Sequence, residues 1–406
     1  MIRYLGPEDF GSLSYALSLV GLFTAIATLG LDSIVTRELV KDQSSKNELL
    51  GTVFTMRIWG GVAAVILLGV TMLLTGDNPR TQMLIAVIGI SLIVQAFLVI
   101  EFYFQAIVQI KYTAIVQITN LVITGVLKVV LVLLKADLFW FAVCTLLESI
   151  IAAMGFIYVY RKQNLKLRDW KYSKEKGITL LRDSWPLIFS GVVIAIYLKI
   201  DQVLIKKMLS VHETGLYASA VRLCESWYFI PMAVSSSLFP AIMNAKKMNR
   251  ELYLSRLQKL YDILAWLAIG ISIPVSFFAT DIMTLLFGAK FVGASMTLTI
   301  YIWAGVPTFL GVGTSQFLIA ENLTRMSFYR TLAGMLMNVV LNLWWISVFG
   351  INGSAAATLV SYSVATFSIG ASRKTYTQLW MMVKAVLFID LFIFIYKIWQ
   401  KRLQPK

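Results

Sequence analysis

The sequence predicts an all-α polytopic membrane protein, and three observations carry that prediction. Hydrophobic residues make up 58% of the chain and charged residues only 14%, against about 45–50% and about 25% in ordinary soluble domains. Apolar runs of roughly 20 residues, the length that crosses a bilayer, recur about twelve times along the 406 residues. Lys and Arg collect in every second gap between those runs, as cytoplasmic loops do.

Taken in order, the runs lie near 12–31, 52–75, 82–106, 113–134, 138–160, 184–205, 215–243, 259–280, 293–319, 328–349, 353–372 and 379–398. Each is expected to be helical, because backbone facing lipid must satisfy its N–H and C=O groups within the segment. The short alternating segments of a membrane β-barrel are not seen. The gap 161–183 carries Arg161, Lys162, Lys166, Arg168, Lys171, Lys174, Lys176 and Arg182, and 244–259 carries Lys246, Lys247, Arg250, Arg256 and Lys259. The positive-inside bias places both in the cytoplasm together with 32–50. Lys397, Lys401, Arg402 and Lys406 of the C-terminal tail fall on the opposite side of this pattern. A net charge of +15 is thus explained by membrane topology, and no nucleic-acid partner is expected.

Cys144 and Cys224 lie inside apolar runs and His212, the only histidine, in a short loop. No disulfide framework, His/Cys metal cluster or His-dependent catalytic site is suggested, and no cofactor is expected.

The two halves echo one another. Asp9, Gly11, Ala16 and Leu19 align with Glu213, Gly215, Ala220 and Leu223 at a constant offset, half the chain length, and paired halves are the usual plan of secondary transporters. The resulting division is an N-terminal bundle over 1–160, a basic linker over 161–183, a C-terminal bundle over 184–372 and an extra helix with a basic tail over 373–406. By the same alignment 184–205 would correspond to residues before Met1, so the first helix of the N-terminal half is expected to be missing.

The order of several strings resembles the oligosaccharide flippases of the Wzx type, within the MOP (MATE-like) transporter superfamily. They are RYLGPEDFG at 3–11, LGLDSIVTRELV at 29–40, KIDQVLI at 199–205 and GLYASAVRLCESWYFIP at 215–231. They continue with SSLFPAI at 236–242, FLIAENLTRMSFYRTLAGMLMNVVLNL at 317–343 and FGINGSAAATL at 349–359. The absent first helix and the unpartnered last run depart from that family. The resemblance implies two pseudo-symmetric bundles around a cavity that opens to either face in turn. It also implies a cargo of isoprenoid-diphosphate-linked oligosaccharide, turned across the cytoplasmic (inner) membrane for cell-surface polysaccharide biosynthesis. Membrane lipids and polysaccharide-assembly proteins would be its other partners.

A charge at mid-membrane costs roughly 2.5–3.5 kcal/mol on insertion scales and so faces a partner or a wet cavity. Eight residues qualify: Arg57, Glu101, Lys128 and Glu148 in the first half, and Lys199, Asp201, Arg222 and Glu225 in the second. Arg and Lys are the complement of a diphosphate, so Arg57, Lys128, Lys199 and Arg222 are the expected substrate-binding set. Neutralising nearby carboxylates, or snorkelling, is the plainer role. Asp201, Glu101, Glu148 and Glu225 are the expected coupling-ion or gating set. Arg222 and Glu225, three apart on one helix face, are positioned to pair with each other, and a packing hydrogen bond is the plainer role for Asp201.

Two other functions compete. A cation- or drug-exporting antiporter of the same superfamily would want an acidic, aromatic cavity, and the equal tally of buried acids and bases leaves that open. A membrane polysaccharide polymerase or glycosyltransferase would want a sizeable outer loop with clustered carboxylates, whereas the gaps at 76–81, 135–137, 206–214, 281–292 and 350–352 are all short. On those grounds no enzyme activity is expected, and the lack of a G-x-x-x-x-G-K-[ST] loop for a nucleotide implies secondary transport.

Overall fold

The computed structural model describes residues 1–389, and all regular structure among them is helical. In chain order the α-helices are α1 Ile2–Leu22, α2 Thr24–Thr28, α3 Asp32–Lys41, α4 Lys46–Thr75, α5 Pro79–Gly89, α6 Ser91–Val94, α7 Val99–Ala106, α8 Ile110–Leu133 and α9 Leu138–Lys162. They continue as α10 Lys174–Met208, α11 Val211–Glu225, α12 Phe229–Met248, α13 Arg250–Phe277, α14 Ala279–Phe287, α15 Ser295–Tyr301, α16 Gly305–Ala320, α17 Thr324–Phe367 and α18 Tyr376–Val386. By length and hydropathy, eight of the described helical runs are able to cross a membrane, or nine if the pair Ile2–Leu22 and Thr24–Lys41, bent by 40°, is one span. The expected run 379–398 and the basic tail lie largely outside the described residues.

The surface confirms what the solvent is. On α8, Ile115, Ile118, Val122, Val126, Val129 and Leu133 are all exposed, three or four residues apart, so they form one outward apolar stripe. Water would penalise such a patch. Lipid does not.

Several expected runs are interrupted where local chemistry demands it. The run 12–31 stops at Phe23, and Leu29 and Gly30 take positive φ values of 53° and 60°. The chain then restarts as α3 inside the expected loop 32–50. That loop had looked polar, but Leu31, Ile34, Val35 and Leu39 form a buried stripe. Asp32 in the first turn and Lys41 in the last also suit the helix dipole. The run 215–243 is broken between α11 and α12 at 226–228, near the place where the echo of α1's break at Phe23 would fall.

The runs 328–349 and 353–372 form one Arg325–Ala371 stretch folded at Gly350, whose φ of 60° and ψ of −142° are non-helical. Beyond the fold, Ser354 Oγ donates to Asn342 Oδ1 at 2.6 Å, and Gly353 lies so close to the Trp345 carbonyl that a Cβ would collide with it. A side chain at Gly350 is forced into a region only glycine populates, at about 1–3 kcal/mol. Gly350→Ala is therefore expected to lower the melting temperature of the detergent-solubilised protein; an unchanged value would contradict the turn.

Contacts divide the chain into two compact units with the boundary between Lys206 and Lys207. This differs from the expected start of the second bundle at residue 184, because α10 packs against the first unit. Gly30 meets the backbone of Leu187 and Ile188, where a Cβ would come within 2.9 Å, and Gly191 meets Ala25. Ser18 Oγ donates to Gln202 Oε1 at 2.9 Å. The expected linker also shortens, since α10 already begins at Lys174. The first unit packs α1 on α5 and α9, α2 on α4, α3 on α7 and α8 on α9, around Leu13, Tyr15, Ile85 and Phe141 at one end and Val35, Leu50, Phe104 and Tyr160 at the other. In the second unit α13 is central, packed by α12, α16 and α18 around Leu257, Tyr261, Leu264, Phe309 and Met382.

Candidate functional site

In the first unit the charges are mostly paired. Arg57 is 2% exposed on α4, ion-paired with Asp32 of α3, whose side chain is 55% exposed. The guanidinium also lies 5.0 Å from the centre of the Phe102 ring, and its Nε has no hydrogen-bond partner among the described residues. Glu101, one residue before Phe102, accepts from Gln117 Nε2 at 2.9 Å and Gln105 Nε2 at 3.3 Å. Lys128 on α8 and Glu148 on α9 are joined at 3.0 Å, both about one-third to one-half exposed. Asp201 is buried, its Oδ1 accepting from the Gln202 N–H at 2.9 Å.

Two cations differ from these. Among the described residues, neither Lys199 on α10 nor Arg222 on α11 is in an ion pair or hydrogen bond. Lys199 is half-buried, its stem passing Gly21 so closely that a Cβ there would lie 3.6 Å from Lys199 Cγ, and Arg222 is exposed. The expected pairing of Arg222 with Glu225 is absent: correct helical spacing does not make two side chains choose each other. At about 1.5 Å per residue, Lys199 stands ~14 Å from the end of α10, within the apolar run Lys174–Met208, and Arg222 stands ~16 Å from the start of α11, in its last turn.

A further charged cluster was hidden by the sequence, because its members read as short outer loops. Asp77, in the turn between α4 and α5, accepts from Tyr15 Oη at 2.9 Å and Thr75 Oγ1 at 2.7 Å and is ion-paired with Lys206 near the end of α10. The Lys206 ammonium also sits 4.7 Å from the centre of the Tyr15 ring. Burial alone would push the Asp77 carboxyl up, but the bonds from Lys206, Thr75 and Tyr15 hold it below the usual carboxylate value. The signal available in sequence was an acid, Asp77, and a lysine pair, Lys206 and Lys207, in short gaps bordering two long apolar runs.

The second unit holds a neutral seam. Asn338 and Asn342 on the first arm of α17, Ser354 and Thr358 on the second, and Tyr217 on α11 are all buried. Tyr217 Oη and Thr358 Oγ1 are 3.3 Å apart, and Asn342 Nδ2 donates to the Asn338 carbonyl at 2.9 Å. Both polar atoms of the Asn338 amide are unpartnered among the described residues. A buried unpaired amide costs about 1–3 kcal/mol. Asn338→Leu is thus expected to raise the melting temperature, and a fall would show that the amide is satisfied in the membrane. Among the described residues no group of three His, Cys, Asp or Glu is arranged to hold a metal ion.

Long apolar helices with outward apolar stripes, and charged groups set within the apolar runs, define a multi-pass helical membrane protein of the transporter class. Residues 1–246 match the family described as polysaccharide biosynthesis protein, and the chain belongs to that family. Its fold is that of MOP-superfamily transporters. An inward-facing multidrug-resistance MATE transporter superposes with a TM-score of 0.70 at 16% identity, covering 96% of this chain and 93% of that one. The lipid II flippase MurJ in an inward closed conformation gives 0.70 at 16% identity, covering 100% and 92%. In sequence, a probable low-salt glycan biosynthesis flippase of Haloferax volcanii is 25% identical over 225 residues, 54% of this chain. The match spans about half of that relative, 47% of its length.

Proposed function

We propose that the chain turns an isoprenoid-diphosphate-linked oligosaccharide across the cytoplasmic membrane, by alternating access, in cell-surface polysaccharide biosynthesis. The family, the similarity to a probable glycan flippase and the MurJ-like fold support a flippase reading. The observation that carries the cargo assignment is that Lys199, inside the apolar run of α10, has no protein partner among the described residues, and the same holds independently for Arg222 on α11. An unpaired cation in the hydrocarbon layer is expensive unless water or an anion meets it. A diphosphate supplies several acceptor oxygens for charge-assisted bonds, while the lipid tail has no reason to leave the bilayer.

Arg57 and Lys128 belong to the same proposed set with a different readiness. Each already has a carboxylate, so each meets cargo only if Asp32 or Glu148 gives it up. Protonation of the partner carboxylate would do that, which is the role proposed for Glu148; Glu101, hydrogen-bonded to Gln105 and Gln117, is proposed as a coupling-ion site in its own right. Asp201 and Glu225 complete the proposed coupling set. Any contact with polysaccharide-assembly proteins would be made outside the spans.

Ligand-induced stabilisation tests the cargo class. A soluble short-chain isoprenyl diphosphate is expected to raise the melting temperature of the purified protein, and the matching isoprenyl alcohol is not. The shift should vanish in Arg222→Ala. Stabilisation by a lipophilic cationic dye and not by the diphosphate would contradict the reading and favour a cation exporter.

A further inference from the structure

The segment 163–173 between α9 and α10 has a task beyond connection, because it is fastened down along its length. Gln163 Nε2 donates to Tyr112 Oη at 2.7 Å. Trp170 Nε1 donates to Tyr160 Oη at 3.1 Å, and the indole packs 5.4 Å from the Phe54 ring centre. The Lys171 N–H donates to the Asn47 carbonyl at 3.2 Å and the Ser173 N–H to Thr52 Oγ1 at 3.0 Å. At Gly51 the strap runs so close that a Cβ would lie 2.6 Å from the Lys171 carbonyl oxygen. A simple tether between two helices needs none of this.

What the fastening displays is charge. Arg161, Lys162, Lys166, Arg168, Lys171 and Lys174 are all exposed, and among the described residues none of them is in an ion pair or hydrogen bond through its side chain. The acids nearby are Asp169 and Glu175, both exposed, and Glu48, which is paired with Lys176 at 3.6 Å. The tyrosines Tyr158 and Tyr172, 66% and 58% exposed, flank the strap as aromatic residues do at a membrane–water interface. Both α9 and α10 are long and apolar enough to cross the bilayer, and the positive-inside bias puts the ends joined by the strap on the cytoplasmic side, at headgroup level. The one anion always within a Debye length of about 8 Å there is the lipid phosphate.

We infer that the strap is a docking surface for anionic phospholipid headgroups of the cytoplasmic leaflet, held rigid by Trp170 so that its three cations, Lys166, Arg168 and Lys171, address the membrane plane together with Arg161, Lys162 and Lys174 at the flanking helix ends. Positive-inside topology accounts for the charges but not for their fixed presentation, and it predicts no preference among lipids in the folded protein.

The test is the ratio of anionic to neutral phospholipid co-purifying with the full-length protein from mixed phosphatidylglycerol and phosphatidylcholine membranes. The variant Lys166→Gln/Arg168→Gln/Lys171→Gln is expected to lose at least about threefold in that ratio, given the known contribution of each basic residue near an anionic surface. Lys166→Arg/Lys171→Arg is expected to keep it. Trp170→Ala, which keeps every charge, is expected to lower it. A wild-type ratio in the triple glutamine variant would overturn the inference. Should that variant fail to insert, the wild type alone decides: the enrichment must fall as salt is raised, and an enrichment indifferent to salt contradicts the proposal.

Discussion

Asp77→Ala is expected to destabilise the protein more than any other single change considered, by about 3–5 kcal/mol, because it strands the Lys206 ammonium without its counter-charge. The Lys206 side chain is only 14% exposed and that of Asp77 is fully enclosed. The loss also removes the acceptor for Tyr15 and Thr75, so two hydroxyls lose a partner at once. In a thermal melt of the detergent-solubilised protein this corresponds to a fall of roughly 10 °C. The double variant Asp77→Leu/Lys206→Met removes both charges and is expected to recover most of that fall, since an apolar pair of similar volume can replace a buried ion pair without net cost. If the double variant melts as low as the single one, the ion pair is not the source of the effect. The pH dependence has a definite sign. The Asp77 carboxyl is held below its usual value in the folded state. Its stabilisation is therefore fully present above the unfolded carboxylate pKa, about 4, and is lost as pH falls through the depressed folded value.

Lys199→Ala and Arg222→Ala are expected to do the reverse, removing function and sparing stability. Neither side chain has a protein partner among the described residues, so truncation should cost no more than about 0.5 kcal/mol of stability, the range typical of changes away from packed or paired features. A lost charge-assisted bond to a phosphate is worth about 1.5–3 kcal/mol, or roughly a 10- to 100-fold loss in transport of a lipid-linked diphosphate cargo. The control is Lys128→Ala, which leaves Glu148 unpaired and should lower stability as well as transport. Arg222→Ala protein that transports normally but melts early would mean that the arginine serves packing, and the cargo assignment would lose its strongest support.

The fold was legible because lipid is an unforgiving solvent. It requires long apolar helices, and hydropathy reads those directly, as at α4, α8, α9 and α13. What it could not read was where a helix breaks while staying apolar. The stops at Phe23 and Gly350 depend on backbone conformation, and α3 hides in a stretch whose exposed charges outweigh its buried stripe of Ile34, Val35 and Leu39. Placing α10 with the first unit depends on Gly30 and Gly191 fitting against it, which hydropathy does not register.

The charged residues divide along the same line. Their presence within apolar runs was visible in sequence, as with Arg57, Lys128, Lys199 and Arg222. Their partners were not, because pairing is decided across helices. Arg57 found Asp32 twenty-five residues away, Lys206 found Asp77 across most of the first unit, and Arg222 ignored Glu225 three residues on. The residues left without partners were identified only by geometry, and it is these that the proposed function uses.

Leaflet-to-leaflet movement in reconstituted vesicles tests the central claim most directly. A fluorescent isoprenoid-diphosphate oligosaccharide placed in a defined leaflet should become accessible from the other side in vesicles holding the wild-type chain, faster than in protein-free vesicles. That gain should collapse with Lys199→Ala/Arg222→Ala. Movement no faster than in empty vesicles, or a gain that survives loss of both cations, would contradict the account.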